Sequence, residues 1–551
     1  MKIMKMIPLL ATLSLVTSCG TESETTTGTA TASKDTVISP LSTKDSDATA
    51  SYQPVYPDDV DKSTYYQLLV YSFADGNGDG IGDFKGIVDK LDYLADLGIG
   101  GIWLSPINTC RSYHAYDVID YESINPSYEV TVGGVRYDLD KLLEECHKRD
   151  IKVLMDMVLN HTSRSHKWYR EHPSWYSGED AFSGDMADLD YDNTEVRTAV
   201  KNVCQSYLRR GVDGFRLDAA LWIYNKGQAG RGTHDDVKNI AWWKEFASFM
   251  KSVKSDAYII GEVLDDNTSY ARAYQEAIET FDFERTRNLY SCIAEDKAYQ
   301  YASYVEDYKS YITSKRSDAL GAGVISNHDI GRFTCSHSAN SFGSYAVTSE
   351  ADIKYALALQ ILSPGNSFLY YGDELGLQAS CPSGYTDMSF RTPMPFGSER
   401  TDSVKYFGGF HGTGVTSSTT FDGSSIESMQ ADASSIYNVA KSAIRFKNEN
   451  PMFTYNWSVR QIKTQDSSVG ALEIYDGKGN GDYGMFFNSS DTEAVLDCIY
   501  PDPDCYPFDV IASFGNGVGS VSKQKLTVPS KSVVITRLAP TSIDSMADYS
   551  I

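Results

Sequence analysis

Four apolar runs in this chain end on charged or imidazole side chains. Ile151 to Leu159 carries Asp156 and leads into Asn160-His161. Val212 to Leu217 carries Arg216 and leads into Asp218. Tyr258 to Gly261 leads into Glu262, and Ala322 to Ser326 leads into Asn327-His328-Asp329. The Val212 run reads as a strand buried on both faces of a parallel sheet, and the period of two sets Arg216 and Asp218 on one side. An arginine beside an aspartate holds the carboxylate ionised and aimed, as a carboxylate nucleophile needs; the same pair also serves as a plain salt bridge at a strand end. Glu262 has no basic neighbour in sequence, so its carboxyl can keep a raised pKa and act as an acid/base. Paired carboxylates of this kind suit glycoside hydrolysis. One attacks the anomeric carbon or activates water, and the other protonates the leaving oxygen; a separation of about 5–5.5 Å would mean retention of configuration.

These residues meet only if their runs are neighbours in one sheet. Strand candidates are Tyr66–Phe73, Ile99–Leu104, Ile151–Leu159, Val212–Leu217, Tyr258–Glu262, Phe281–Phe283, Ala322–Ser326 and Phe368–Tyr371. Helical patterns lie between most of them, such as Asp83–Leu97 ending at Gly98 and a helix near Gly134–Arg149. Eight strands with intervening helices predict an α/β fold, a (β/α)8 TIM barrel spanning residues 59–450; a doubly wound open sheet is the alternative on pattern alone. In such a barrel the strand ends share one mouth, which would gather the carboxylates, the arginine and the histidines. Residues 162–192, irregular and rich in Trp, Tyr, Ser and Gly, read as a short subdomain inserted after the third strand. A long polar loop region, 372–430, precedes a helix at Ser434–Asn448. From Pro451 short β-rich runs predict a separate all-β sandwich, residues 451–551.

The chain has 551 residues, 41% hydrophobic and 12% aromatic, which is globular composition. Its formal charge of −25 argues against nucleic acid and anionic membranes and leaves a neutral substrate unaffected. The 38 tyrosines offer faces to sugar rings, or simply build strands and surfaces. Lys2 and Lys5 precede an apolar stretch, Met6 to Val16, too short to span a bilayer, so residues 1–18 read as a signal peptide. Val16-Thr-Ser-Cys19 resembles a bacterial lipobox, with Cys19 as the lipidated residue; an ordinary cleaved signal is the alternative. Residues 19–58 then form a Ser/Thr-rich tether. The protein is expected to be exported, a cell-surface lipoprotein or secreted, and monomeric. Cys498 and Cys505 are close enough to pair in an oxidising compartment, and most other cysteines read as small buried hydrophobes.

Asp75-Gly-Asn-Gly-Asp-Gly-Ile-Gly-Asp83 spaces oxygen ligands at alternate positions, with glycines for tight turns. It is the pattern of a hard-cation loop, Ca2+ preferred, without the flanking helices and distal Glu of an EF-hand. A bare Gly/Asp turn is the other reading.

Together with Met186-Ala-Asp-Leu-Asp190, the four strand-end stretches, in this order, resemble the sequence regions of the alpha-amylase superfamily, glycoside hydrolase family 13, over roughly residues 60–540. The resemblance implies Asp218 as nucleophile, Glu262 as general acid/base and Asp329 as stabiliser of the distorted sugar. It implies Arg216, His161 and His328 around the attacked sugar, Tyr116 stacked beneath it, and Asp117 and Asp156 as polar supports. It implies Ca2+ held by Asp75, Asn77, Asp79 and Asp83, with Ile81 through its carbonyl. A second family site would use Asn160 and Asp188, but Leu221-Trp-Ile stands where the family's amylases carry a Lys-His pair, so a second ion is not expected.

Ala219 resembles enzymes cutting α-1,4 bonds. Tyr113 stands where the family's exo-acting α-glucosidases have an aspartate, which leaves the cleft open, and the insertion is short. Arg391-Thr-Pro-Met-Pro-Phe396 resembles the α-glucosidase and intermediate branches instead. The expectation is endo-acting, retaining hydrolysis of α-1,4 bonds in starch, glycogen and maltooligosaccharides. The alternatives are an exo-acting α-glucosidase, an oligo-1,6-glucosidase or a maltogenic, transglycosylating enzyme. From another class, a non-catalytic starch-binding protein would have lost a carboxylate, and all three are present.

Overall fold

The computed structural model describes residues 62–538 except 183, 231, 266, 335–346, 348, 380–389, 403–417, 456–457, 476–482, 498–506 and 523–524. The signal segment, the tether, Cys19 and the Cys498–Cys505 pairing lie outside the described residues.

Eight parallel strands form one sheet: β1 (Thr64–Leu68), β2 (Gly101–Leu104), β3 (Lys152–Met157), β4 (Gly214–Leu217), β5 (Tyr258–Gly261), β6 (Glu279–Thr280), β7 (Ala322–Val324) and β8 (Asn366–Tyr370). Their order is β6-β5-β4-β3-β2-β1-β8-β7. A parallel bridge from Phe281 to Ala322 joins the two edges. The amide of Asp282 also donates to the Ala322 carbonyl at 2.9 Å. The sheet is therefore a barrel and not an open doubly wound sheet. β1, β2, β4 and β8 are buried at every residue, as strands covered on both faces must be.

The helix before β4 shows how the sequence builds the repeat. Thr194–Arg210 starts where the Asn193 side chain accepts from the Glu195 amide, buries Val196, Val200, Cys204, Tyr207 and Leu208 on one stripe, and stops at Gly211 with φ of 117°. That left-handed cap turns the chain directly into β4.

Four expected elements differ. The helix expected over Asp83–Leu97 is two, Phe84–Asp89 and Leu91–Leu97, parted at Lys90. β1 ends at Leu68, and Val70–Phe73, all buried, is a short helical turn. A continuous apolar run carries no period to separate the two. β6 is Glu279–Thr280, because the Asp282 carboxylate accepts from the Arg285 amide and starts a helix at Phe283. The helix placed near Gly134 starts at Leu139 instead, behind a hairpin of Val130–Val132 and Val135–Tyr137 turned by Gly133 and Gly134.

After β3 the insertion returns to the barrel as a two-stranded pair, His161–Ser163 against Met186–Asp188, with His161 opposite Asp188. The C-terminal part is antiparallel throughout. β9 (Ser458–Gln461), β10 (Val469–Tyr475), β11 (Tyr483–Asn488), β12 (Ala494–Asp497), β13 (Pro507–Gly515), β14 (Ser520–Ser522), β15 (Lys525–Val528) and β16 (Ser532–Leu538) form two sheets, ordered β9-β10-β11-β16-β13 and β12-β15-β14. Val469, Phe486 and Val534 from the first share a core with Leu496, Leu526 and Val528 from the second, a sandwich. Among the described residues no helix is long and apolar enough to cross a membrane. Cys146, Cys204 and Cys292 are buried free thiols, and Cys110 is partly exposed.

Candidate active site

Arg216 is the centre of the barrel mouth. It sits opposite Asp156 of β3 and Ile260 of β5 in the strand register, so both neighbours bring their polar ends to it. Its Nη1 donates to Asp156 at 2.8 and 2.9 Å and to Asp218 Oδ1 at 2.9 Å. Its Nη2 lies 2.9 Å from Glu262 Oε2. The guanidinium is 1% exposed, with the rings of Trp103 and Tyr116 at 5.1 and 5.8 Å. One cation therefore orients three carboxylates. Ala219, at φ of 50°, turns the chain away after Asp218, and its amide donates to Glu262 Oε2 at 3.2 Å. Gly261 leaves room for this turn, since a Cβ there would stand 3.1 Å from the Ala220 methyl and 2.6 Å from Ile278. Asp218 and Glu262 thus each have one oxygen held. No hydrogen-bond donor among the described residues reaches the other.

Asp329 completes the group from β7. Asn327 Oδ1 accepts from the amides of Asp329 and Ile330, both at 2.7 Å, and fixes the turn. Arg391 Nη2 donates to Asp329 Oδ1 at 3.0 Å, and its Nε donates to the His328 carbonyl at 3.2 Å. Gln67 Nε2 donates to His328 Nδ1 at 2.7 Å, which leaves Nε2–H to face Asp329 Oδ2 at 3.0 Å and the Tyr116 hydroxyl. Tyr116 stacks on His328 with ring centroids 5.6 Å apart and reaches Asp156 Oδ2 at 3.2 Å. His161 Nε2–H donates to the Tyr116 carbonyl at 3.0 Å and so carries that ring's backbone. Asp117 stands one step back, holding the Ser112 amide at 3.1 Å and its hydroxyl at 2.6 Å.

The electrostatics follow from counting. Asp156, Asp218, Glu262 and Asp329 face two guanidiniums, Arg216 and Arg391, and burial penalises every charge. Burial drives His161 down to about 4 and His328 down to about 3, so both are neutral imidazoles near pH 7. Burial also pushes the Asp218 carboxyl well up, against Arg216 and with help from Glu262 and Asp156. Glu262 is raised by burial and by Asp329, again against Arg216. Asp329 is held below the carboxylate range: His328, Arg391 and Arg216 outweigh its burial. Two expectations change here. Glu262 does have a basic partner, Arg216, which comes from the neighbouring strand and is invisible in local sequence. Arg216 alone does not keep Asp218 low, because it is shared among three acids. The site can hold a proton among Asp218 and Glu262, and its surplus of negative charge can stabilise a cation formed in front of it.

Gln67, Trp103 and Arg391 were not among the expected site residues. Trp103 Nε1 donates to Asp156 Oδ2 at 3.1 Å. Gln67 and Trp103 lie near the ends of β1 and β2, so the strand-end rule could have found them. A cleft of about 330 Å3 opens beside Glu262 and Asp329, with Phe182, Trp222, Leu264 and Arg287 in its walls.

The loop from Asp75 to Asp83 turns its carboxylates onto its own amides. Asp75 accepts from Gly78 at 2.7 Å and Gly80 at 2.6 Å, and Asp79 accepts from Ile81 at 2.8 Å. Asn77 bridges to Asp79 at 2.9 Å, and Asp83 caps the helix Phe84–Asp89 through Gly86 at 2.8 Å. Burial, with crowding by Asp75 and Asp79, raises Asp83 to about 6 against the pull of the Gly86 and Gly76 amides. Among the described residues no three acidic, His or Cys side chains converge as a metal cluster. The donor set still fits a hard cation: it is all oxygen, with three carboxylates and no basic side chain within the loop. Asn160 and Asp188 are bound to each other at 3.2 Å, and Asp188 also accepts from Asn225 and Ala181 at 3.0 Å. Asn160 Oδ1 is buried without a hydrogen-bond partner among the described residues.

The family described as alpha amylase, catalytic domain, matches residues 67–181 and 174–456. Alpha-amylase 3 of Dictyoglomus thermophilum is 32% identical over 444 residues, spanning 75% of this chain and 83% of that protein. The 4-alpha-glucanotransferase of Thermotoga maritima is 28% identical over 481 residues, 80% of this chain and 98% of that one. Among solved structures, Eubacterium rectale Amy13B superposes with a TM-score of 0.72 at 27% identity, covering 91% of this chain and 99% of its own.

Proposed function

Because the chain belongs to the alpha-amylase family of glycoside hydrolases, family 13, we propose that it cleaves internal α-1,4 bonds of starch, glycogen and maltooligosaccharides with retention of configuration. The carrying observation is the placement of Asp218 and Glu262 on the two nitrogens of one buried guanidinium, Arg216, each with a second oxygen left over. In this reading Asp218 Oδ2 attacks the anomeric carbon while Glu262 Oε1 gives its proton to the departing glycosidic oxygen. The glycosyl–Asp218 ester is then hydrolysed by water that Glu262 deprotonates. Asp329, held ionised by Arg391 and His328, stabilises the oxocarbenium-like transition states and the distorted ring. Tyr116 carries the attacked sugar, and the neutral rings of His161 and His328 hold the Tyr116 backbone and Asp329 in place beside it.

Tyr113, with Arg391 5.7 Å from its ring, supports the internal-cut reading, since no aspartate stands there to grip a chain end. The product profile on soluble starch tests it. A rapid fall in iodine staining with mixed maltooligosaccharides is expected, whereas glucose alone with lingering colour would overturn it. The likeness to a glucanotransferase over 98% of that protein favours transfer as a second reading, and water and a sugar hydroxyl would compete for the same ester. The size of products from maltotriose separates the two, because transfer yields chains longer than the substrate.

A bound Ca2+ would be held by Asp75, Asn77, Asp79, Asp83 and the Ile81 carbonyl, cross-linking the loop after β1; its contribution is structural. Chelation is expected to lower the Tm, with recovery on adding Ca2+ and a smaller shift in Asp79→Asn. An unchanged Tm would mean that the loop holds no stabilising ion. Export with a lipid on Cys19 belongs to the same proposal, and loss of palmitate labelling in Cys19→Ala checks it.

A further inference from the structure

The segment that carries Arg391 has no backbone ladder of its own. Phe390 to Phe396 belongs to no helix or strand, yet Phe390 to Met394 is buried throughout. Buried carbonyls in such a stretch need donors from elsewhere. A rack of four side-chain hydroxyls supplies them, one for each successive residue. The Tyr370 hydroxyl donates to the Phe390 carbonyl at 3.0 Å, Ser72 to Arg391 at 2.8 Å, Tyr371 to Thr392 at 2.6 Å, and Ser418 to Pro393. We propose that Ser72, Tyr370 and Tyr371 are positioning residues, which hold the Arg391 backbone so that its guanidinium stays on Asp329. The proposal rests on the role given to Asp329 above and extends it to side chains sealed from solvent.

Three observations carry it. The first is where the donors stand. Tyr370 ends β8 and Ser72 lies in the turn after β1, and these strands are neighbours with Gln67 opposite Tyr370. The Tyr371 amide donates to the Gln67 carbonyl at 2.9 Å, so three of the four hydroxyls ride on one strand pair. The second is that Ser72 grips the segment from both sides. Its carbonyl accepts from the Met394 amide at 3.1 Å and from the Thr401 hydroxyl at 3.4 Å. Further along, the Asp75 amide donates to the Glu399 carbonyl at 2.8 Å, and the Asp402 amide to the Gly80 carbonyl at 2.7 Å. The stretch after β1 and the segment from Arg391 to Asp402 are therefore bound to each other at several points.

The third observation is that the turn bearing Asp329 uses the same anchor. Arg332, which follows Asp329 closely in the chain, donates Nη1 to the Tyr371 carbonyl at 2.7 Å. Its guanidinium lies 4.5 and 4.8 Å from the rings of Tyr370 and Tyr371. Both members of the Arg391–Asp329 pair are thus mounted on the same two tyrosines. The Arg391 fork meets Asp329 Oδ1 and the His328 carbonyl at once, at 3.0 and 3.2 Å, which a long side chain manages only from a fixed backbone. Removing one hydroxyl leaves the ring or the methylene in place and frees one carbonyl, so the fork loosens. The charge that faces the transition state then suffers, while the surface that binds the sugar does not.

The test uses the full chain and initial rates on maltopentaose, with kcat and KM separated. Tyr371→Phe and Ser72→Ala each remove one hydroxyl and keep the rest of the side chain. Each is expected to lower kcat about tenfold with KM changed little. In an Arg391→Ala background the same substitutions should lower kcat by less than about twofold, because the group they position is gone. Tyr207→Phe is the control, since its hydroxyl is likewise buried and donates to the Tyr121 carbonyl at 2.6 Å. Its loss should lower the Tm and leave kcat unchanged. Rack variants that behave like Tyr207→Phe, that raise KM at constant kcat, or that lower kcat as much without Arg391 as with it would overturn the proposal and leave the functional assignment standing. No cleavage of any α-1,4-glucan by the intact chain would instead bring down that assignment, and the rack with it.

Discussion

Asp213 stands one residue before β4 begins and Asp218 one residue after it ends, and the barrel treats their carboxyls in opposite ways. Asp213 accepts from His147 at 2.8 Å, from the Val153 amide at 2.8 Å and from Lys254 at 3.2 Å. These partners hold it below the usual range although burial opposes them. Asp218 has a share of one guanidinium and three acidic neighbours, and burial lifts it well above that range. Both are buried aspartates next to basic groups. What separates them is supply: cations and amides exceed acids at the bottom of the barrel, and acids exceed cations at its mouth. A carboxylate with enough partners is structural, and one left short is available for chemistry.

Removing the two charges in turn should separate the two ends of β4. Asp218→Asn is expected to lower kcat by several orders of magnitude and leave the Tm unchanged or raised, since it relieves repulsion. Asp213→Asn should do the reverse, costing about 1–3 kcal/mol by stranding its donors, with kcat nearly intact. Denaturant unfolding and initial rates on one substrate read both, and equal effects on kcat would sink the distinction. Arg391→Lys sharpens it within the mouth. It keeps a charge but loses the fork that bonds Asp329 and the His328 carbonyl, so kcat should fall about 10- to 100-fold while KM changes little. A rise in KM alone would instead make Arg391 a binding residue.

The smallest effect is a pH dependence at the bottom. The Asp213 carboxylate raises the His147 pKa above its unfolded value. Its contribution is therefore complete below the unfolded pKa and lost as pH rises through the folded one. Wild type should exceed His147→Gln in Tm at mildly acidic pH and converge with it at alkaline pH. A gap that widens with rising pH would contradict the assignment.

The positions of Asp218, Glu262 and Asp329 were legible because an apolar run ending in a charge is a local pattern, and eight strand-like runs with helices between them leave few folds open. Their partners were not. Arg216 reaches Glu262 from the next strand, Gln67 reaches His328 across the barrel, and Arg391 reaches Asp329 from a loop after β8. Such pairs are set by closure and register, which no local pattern records. For the same reason the proton balance was misjudged: Asp218 was read with Arg216 to itself, and the barrel divides that cation among three acids. Residues Val70–Phe73 show the other limit, since a fully buried turn and a fully buried strand look alike in sequence.

The central claim is a double displacement through Asp218, and the anomeric form of the first product tests it most directly. Proton NMR of maltopentaose hydrolysis, recorded before mutarotation, should show the α-anomer appearing first, with β growing only later. An initial β-anomer would mean single displacement by water, and Asp218 could then not be the attacking group.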